Sequence, residues 1–257
     1  TNYSLRFARF DGVSWTIQTV DNRPGAGFAP SLEFGTDGQP AIAYFANGAL
    51  EFARYEGTSW AIREVDGGPA LYASLRFGPD GQPAIAYCDA LNKDLKFARH
   101  NGAAWTIQTV DSFVNVGFYA SLAFGPDGQP AIAYFSASAL KFARYNGTVW
   151  NEQVVVTNLF LGSYASLGFG SDGQPAIAYF DGNRGEVRFT RFDGAAWAAQ
   201  TVDSPGYGGT DTPVSLGFWR DGEPTIAYYD WSDRDLKFAR YDGNSWAVQT
   251  VDSAGNV

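Results

Sequence analysis

Methionine is missing from this chain altogether, and cysteine and histidine occur once each, at Cys88 and His100. One cysteine rules out an intrachain disulfide. With one histidine as well, neither a Ser-His-Asp nor a Cys-His catalytic set can be read, and no clustered metal-ligand spacing appears. Lysine is scarce, four against 14 arginines, and the formal charge is −9 with no basic run. Such a chain lacks the electrostatic footprint that a phosphate backbone requires, so nucleic acid is excluded as a partner. No apolar run reaches the roughly 18 residues of a membrane-spanning helix. No secretory leader is visible and the chain starts at Thr1, as a processed or excised protein would. An extracellular or cell-surface location is the expectation.

What the chain does have is repetition. The octapeptide DGQPAIAY begins at Asp37, Asp80, Asp127 and Asp172, and returns as DGEPTIAY at Asp221. A tryptophan series (Trp15, Trp60, Trp105, Trp150, Trp197, Trp246) advances by 45 to 49 residues. Each unit divides into four short pieces rich in β-branched and aromatic residues: SLAF, PAIAYF, LKFARY and a piece such as WTIQTV. GPDG and YNG between them are hairpin turns, and the Pro sits at a strand start, where its missing N–H is tolerated. Four antiparallel strands in about 45 residues, repeated in tandem, predict an all-β fold, a β-propeller of four-stranded blades. Five complete repeats start at about residues 31, 74, 121, 166 and 215 of a single domain, 1–257. Residues 1–22 match only the third and fourth strands, as a half blade. A six-position ring holding it is favoured over a five-bladed ring. Its unpaired edge offers a route to self-association.

The recurring residues read first as structure. Arg9, Arg54, Arg99, Arg144, Arg191 and Arg240 end the third strand. An aspartate follows most of the tryptophans by six residues (Asp21, Asp66, Asp111, Asp203, Asp252), with Val156 the exception. The expectation is an Arg–Asp pair between blades, or Arg stacked on a neighbouring Trp. The tryptophans are expected to anchor the core, and the serines of the SL pair to line strands where blades converge. Cys88 stands where other copies have Phe or Tyr and reads as packing. His100 stands where others have Tyr and reads as structural.

Variation concentrates at the other end of the unit. The loop after IAY is longer in copies two, four and five, and there it carries paired acids: Asp89 and Asp94, Asp181 and Glu186, Asp230 and Asp235. These oxygens suit calcium, or else are ordinary turn chemistry. The links between units hold aromatic residues, among them Phe28, Tyr72, Phe118, Tyr119, Phe160, Tyr164 and Tyr207. Trp231 falls at the tip of the last long loop, where no other copy has an aromatic. Rings beside acids and amides suit sugars, because ring faces stack on C–H faces and polar groups take hydroxyls. Trp231, Tyr207, Tyr72, Tyr119 and Tyr164 are therefore the candidate ligand residues, with inter-blade packing as the alternative. Loops on a rigid scaffold are where binding is usually built, which places the site at this variable end.

The combination of DGQPAIAY, LKFARYDG and W-x-I/V-Q-T-V-D resembles the tandem propeller repeats of bacterial, often secreted, multidomain proteins. More loosely, it is similar to fungal fucose-binding lectins and related bacterial propeller lectins. Those lectins hold sugar between blades with an Arg on the second strand, a Glu on the third and a Trp. Here the second strand is AIAY, and Glu occurs on the third strand only at Glu51. The resemblance thus implies lectin activity in general, not that fucose site. Three readings remain. The first is a secreted, multivalent, non-catalytic module for carbohydrate, needing no cofactor except possible calcium. The second is a propeller that docks a protein surface. The third is a glycoside hydrolase, which the acid-free SLAF and AIAY strands argue against.

Overall fold

A computed structural model describes residues 4–113, 116–159, 164–206 and 212–254. All regular structure among them is β-strand. The chain divides into two compact units, Thr1–Phe113 and Val114–Val257.

The first unit opens with a two-stranded sheet, Leu5–Phe10 with Trp15–Asp21. A first four-stranded sheet follows, Phe28–Phe34, Pro40–Ala46, Ala49–Tyr55 and Trp60–Asp66. The second sheet is Ala70–Phe77, Pro83–Asp89, Asp94–His100 and Trp105–Asp111. The second unit holds three more. The third sheet is Val116–Phe124, Pro130–Ser136, Ala139–Tyr145 and Trp150–Thr157. The fourth is Ala165–Phe169, Pro175–Asp181, Glu186–Phe192 and Trp197–Asp203. The fifth is Val214–Phe218, Pro224–Asp230, Asp235–Tyr241 and Trp246–Asp252. Every pairing is antiparallel and sequential, as the repeat predicts. The short opening sheet matches the third and fourth strands, as expected.

Local chemistry sets the two tight hairpins. In the first, the Asp37 carboxylate accepts from the Gln39 amide at 3.1 Å while Gly38 takes φ +74°. That is left-handed backbone, where a side chain is strained. In the second, Asp11 Oδ1 accepts from the amides of Val13 and Ser14, both at 2.8 Å. Asn101, Asn146, Asp193 and Asp242 repeat this cap. Both hairpins lie at one end of each sheet, because strands one to four alternate in direction.

The core lies between neighbouring sheets of a unit. The second strand is buried on both faces; Ala41, Ala43 and Tyr44 have no exposed surface. Its alanines let the sheets approach while Ile and Tyr fill the gap. Leu75, Ile85 and Tyr87 of the second sheet pack on Leu50 and Phe52 of the first. Ile177 and Tyr179 pack on Leu140 and Phe142 in the same way. The fourth strand is mostly exposed.

Two polar ties repeat across these interfaces. The serine of the first strand accepts from a backbone amide one sheet on: Ser31 from Leu75 at 3.0 Å, Ser121 from Leu167 at 3.0 Å, Ser166 from Leu216 at 2.9 Å. The tyrosine of IAY donates to the aspartate that closes the preceding sheet: Tyr44 to Asp21 at 2.8 Å, Tyr87 to Asp66 at 2.7 Å, and Tyr228 to Asp203. This corrects the expected use of those aspartates, which take a phenol rather than the recurring arginine. Burial, reinforced by the neighbouring carboxylate, pushes the Tyr44, Tyr87 and Tyr228 phenols well above the usual range. Tyr179 faces the copy where Val156 replaces the acid, and burial holds its phenol up at about 12.

Candidate ligand-binding grooves

The recurring arginine finds its partner inside its own sheet. Arg54 bonds Asp37 at 2.9 Å, Arg99 Asp80 at 2.6 Å, Arg144 Asp127 at 2.9 Å and Arg191 Asp172 at 2.7 Å. Arg240 and Asp221 form the fifth pair. The aspartate is the one that opens DGQP, so the pair clamps the first hairpin to the third strand. The same guanidinium lies over an aromatic ring, as Arg54 over Phe77 at 5.0 Å and Arg144 over Phe169 at 5.2 Å. The glycine before the turn makes room: a Cβ on Gly78 would sit 2.3 Å from Arg99. In the fifth copy Trp219 replaces that glycine, and Arg240 rides over its indole at 5.0 Å, its side chain 42% exposed against 23% for Arg99.

The tryptophan series builds the next wall. Four of the indoles meet, edge-on, a phenylalanine of the preceding sheet: Trp60 on Phe7, Trp105 on Phe52, Trp197 on Phe142, Trp246 on Phe189. In three of them Nε1 donates to a glutamine of the preceding fourth strand: Trp60 to Gln18 at 3.0 Å, Trp197 to Gln153 and Trp246 to Gln200, both at 3.2 Å. The indoles are half-buried at sheet junctions rather than sealed in the core.

Cavities open at these junctions in both units, at the tight-turn end. One of about 210 Å³ is lined by Phe7, Arg9, Thr16, Gln18, Pro40 and Tyr55. One of about 200 Å³ is lined by Phe52, Arg54, Arg63, Gln82, Pro83, His100 and Trp105. The largest of these three, about 360 Å³, is lined by Phe142, Arg144, Tyr145, Asn151, Gln153, Pro175 and Phe192, with Asp127 and Gln129. The recipe repeats: a phenylalanine and an arginine from one third strand, an amide or guanidinium from its fourth strand, and a proline and a ring from the next sheet. Sequence reasoning missed these grooves because near-identical copies read as scaffold. The available signal was departure from the copy: Arg63 where five copies have Gln, and His100 where others have Tyr or Phe.

The candidate residues at the variable end are placed as follows. Trp231 is 41% exposed and stands edge-on to Tyr229 at 4.9 Å. Tyr119 and Tyr164 come together, ring centroids 4.5 Å apart. Tyr72 and Tyr119 sit in irregular stretches of the first strand with φ of +56° and +51°. Tyr207 and Phe160 lie outside the described residues. The paired acids face each other across the hairpin: Asp89 with Asp94, Asp181 with Glu186, Asp230 with Asp235. Asp89 accepts from the amides of Leu91 and Asn92 and from Lys96 Nζ, the last at 2.8 Å. Burial opposes its ionisation, but Lys96 and those amides outweigh it and hold the carboxyl at about 2. Asp230 accepts from the Ser232 and Asp233 amides and from Lys237, Asp181 from the Asn183 amide, and Glu186 from Arg188. Among the described residues no group of three or more His, Cys, Asp or Glu is placed to hold a metal ion. Cys88 is fully buried, and burial pushes its thiol up to about 11.

Stacked four-stranded antiparallel sheets joined by forward ties define the class: the fold is that of a β-propeller. No protein-family model matches the chain, and no curated protein matches it. Solved structures do. AofleA from Arthrobotrys oligospora is similar at 14% identity and TM-score 0.64, covering 99% of this chain and 81% of that one. The SapL1 lectin, solved in complex with alpha methyl fucoside, is similar at 15% identity and TM-score 0.63, covering 87% and 79%. A PL25 ulvan lyase bound to -[GlcA(1-4)Rha3S]- is similar at 14% identity and TM-score 0.64, covering 90% and 70%.

Proposed function

We propose that this chain is a non-catalytic, multivalent carbohydrate-binding propeller, working outside the cell, whose sugars sit in the grooves between sheets. The observation that carries the reading is the repeated groove. Each offers aromatic walls for a sugar's C–H face, and beside them an arginine and a polar fourth-strand side chain for its hydroxyls. Weak copies of one site on one scaffold gain by avidity. The saccharide ligands named for SapL1 and the ulvan lyase support this reading from the side of the fold. Asp127 at one groove is tied to Arg144 and Asp11 at another caps its own turn, so among the described residues these linings offer no carboxylate pair of the kind a glycosidase uses.

A glycan array read with wild type, Arg144→Ala and Trp231→Ala tests it. Binding that falls tenfold or more in Arg144→Ala and persists in Trp231→Ala places the sugar in the groove. The reverse pattern moves it to the variable loops. Silence of the wild type across the array removes the carbohydrate reading.

A second reading rests on the exposed apolar side chains of the first unit. Trp15 is 67% exposed and Phe28 60%, and Leu32 and Phe34 of the first strand are also uncovered. This surface beside the two-stranded sheet suits self-association or a protein partner. Light scattering of wild type against Phe34→Ser would show it as a loss of dimer.

A further inference from the structure

We propose that the groove between the first and second sheets takes an acidic saccharide, holding the carboxylate or sulfate ester of a charged sugar. This rests on reading the groove series as saccharide sites, and it departs from that series at one junction.

The departure begins with a missing acceptor. Elsewhere the groove indole donates to a glutamine of the preceding sheet, as Trp60 does to Gln18 and Trp197 to Gln153. At this junction Arg63 occupies the glutamine's position, and Trp105 Nε1 is buried with no hydrogen-bond partner. A buried donor left unmade carries its full desolvation penalty, so an acceptor arriving there is worth more than at a satisfied junction. The substitution also changes the sign of the wall. A guanidinium donates only, whereas the glutamine it replaces can accept.

The next sheet supplies an imidazole. His100 fills the place of Tyr55 or Phe192 in the other grooves and packs edge-on against Trp105 at 5.2 Å. His100 Nδ1 lies 3.1 Å from the Gly102 amide and 3.2 Å from Gln82 Oε1, at the rim of the cavity. Burial, and then the charge of Arg63, hold the imidazole below its ordinary range. Positive potential therefore reaches the ring although the chain as a whole is acidic.

The counter-charges leave that potential available. Arg54 is tied to Asp37 at 2.9 Å. Among the described residues Arg63 pairs with Glu56, at 3.6 Å, with both side chains more than half exposed. Exposed pairs of that kind are worth little and exchange readily for a better anion. An indole N–H, an exposed guanidinium and an imidazole around a cavity of about 200 Å³ suit an anionic oxygen group on a ring that stacks against Trp105.

Because the chain has one histidine, its ring resonances report this groove alone. NMR titration of the whole chain would compare a tetragalacturonate, a sulfated tetrasaccharide, a neutral tetrasaccharide of equal length and inorganic sulfate. The acidic saccharides are expected to move the His100 signals and raise its pKa by about one unit, since a nearby anion favours imidazolium. Arg63→Gln is expected to weaken that binding at least tenfold. It should also shift the Trp105 indole proton toward those of Trp60 and Trp197, which shows that the variant folds. The proposal is overturned if neither acidic saccharide moves His100, if inorganic sulfate does so equally well, or if Arg63→Gln binds as wild type does. The indole protons of Trp60 and Trp197 read the ordinary grooves separately. If neutral sugar moves them while the acidic ones leave His100 unmoved, this proposal fails and the general reading stands.

Discussion

The two ends of the second sheet hold their charges by opposite means. At the tight-turn end, Arg99 meets Asp80 in the open, with 55% of the Asp80 side chain exposed. At the variable end, Lys96 meets Asp89 with 7% of the Asp89 side chain exposed, and reaches Asp66 as well. The first kind of pair recurs in every complete copy, and at Arg54 and Arg144 it borders a groove. The second occurs only where the loop is long enough to fold an aspartate back on its own amides. Sequence variation thus marks the end where polar groups are used up internally. Near-identity marks the end where cavities form. A residue repeated in every copy can serve the fold and still wall a site, because the junction it faces is also repeated.

That contrast can be broken by removing one cation at a time. The largest effect is expected for Lys96→Met, which leaves Asp89 buried without its cation and should cost about 2–3 kcal/mol. Arg99→Met removes a mostly solvated pair and should cost under about 1 kcal/mol. Urea unfolding of the two variants decides it, and equal losses would dissolve the distinction. Acid sharpens the same comparison. Asp89 ionises at about 2 when folded, below its ordinary value of 3.8. Its contribution is complete above that ordinary value and is lost as pH falls toward 2. Thermal unfolding between pH 5 and pH 2 should therefore show a shallower decline in Lys96→Met than in wild type. The smallest effect is expected from Trp231→Ala, whose half-exposed ring should change stability by no more than about 0.5 kcal/mol in the same unfolding assay.

The sheets themselves were legible because their causes are local. Gly38 and Asp37 make their turn from four consecutive residues, and alternation along LKFARY reveals which side chains share a face. Partners across sheets were not legible. Alternation says that Arg54 and Tyr44 lie on given faces, but not which carboxylate each will meet. Arg54 found Asp37, 17 residues back within its sheet, while Asp21 went to Tyr44 across a junction. The grooves were hidden for a related reason. Each is assembled from positions one repeat apart, such as Phe142 with Phe192, and no single copy contains a whole groove. His100 was visible as an oddity, but its meaning depends on Arg63 in the sheet before it.

The ties between Ser121 and Leu167 and between Trp197 and Gln153 each link one sheet to its neighbour, and the same links are remade at the next junction by Ser166 with Leu216 and Trp246 with Gln200. Growth by such a rule resembles the laying of identical tiles. Each sheet carries on one side the groups its predecessor wants, and on the other the groups its successor would use. Nothing in these links counts how many sheets have been laid. A gene that gains or loses one 45-residue copy would therefore change the number of grooves without redesigning any of them. One altered tile, such as the one bearing Arg63, changes the chemistry at a single junction while leaving the pattern of the others intact.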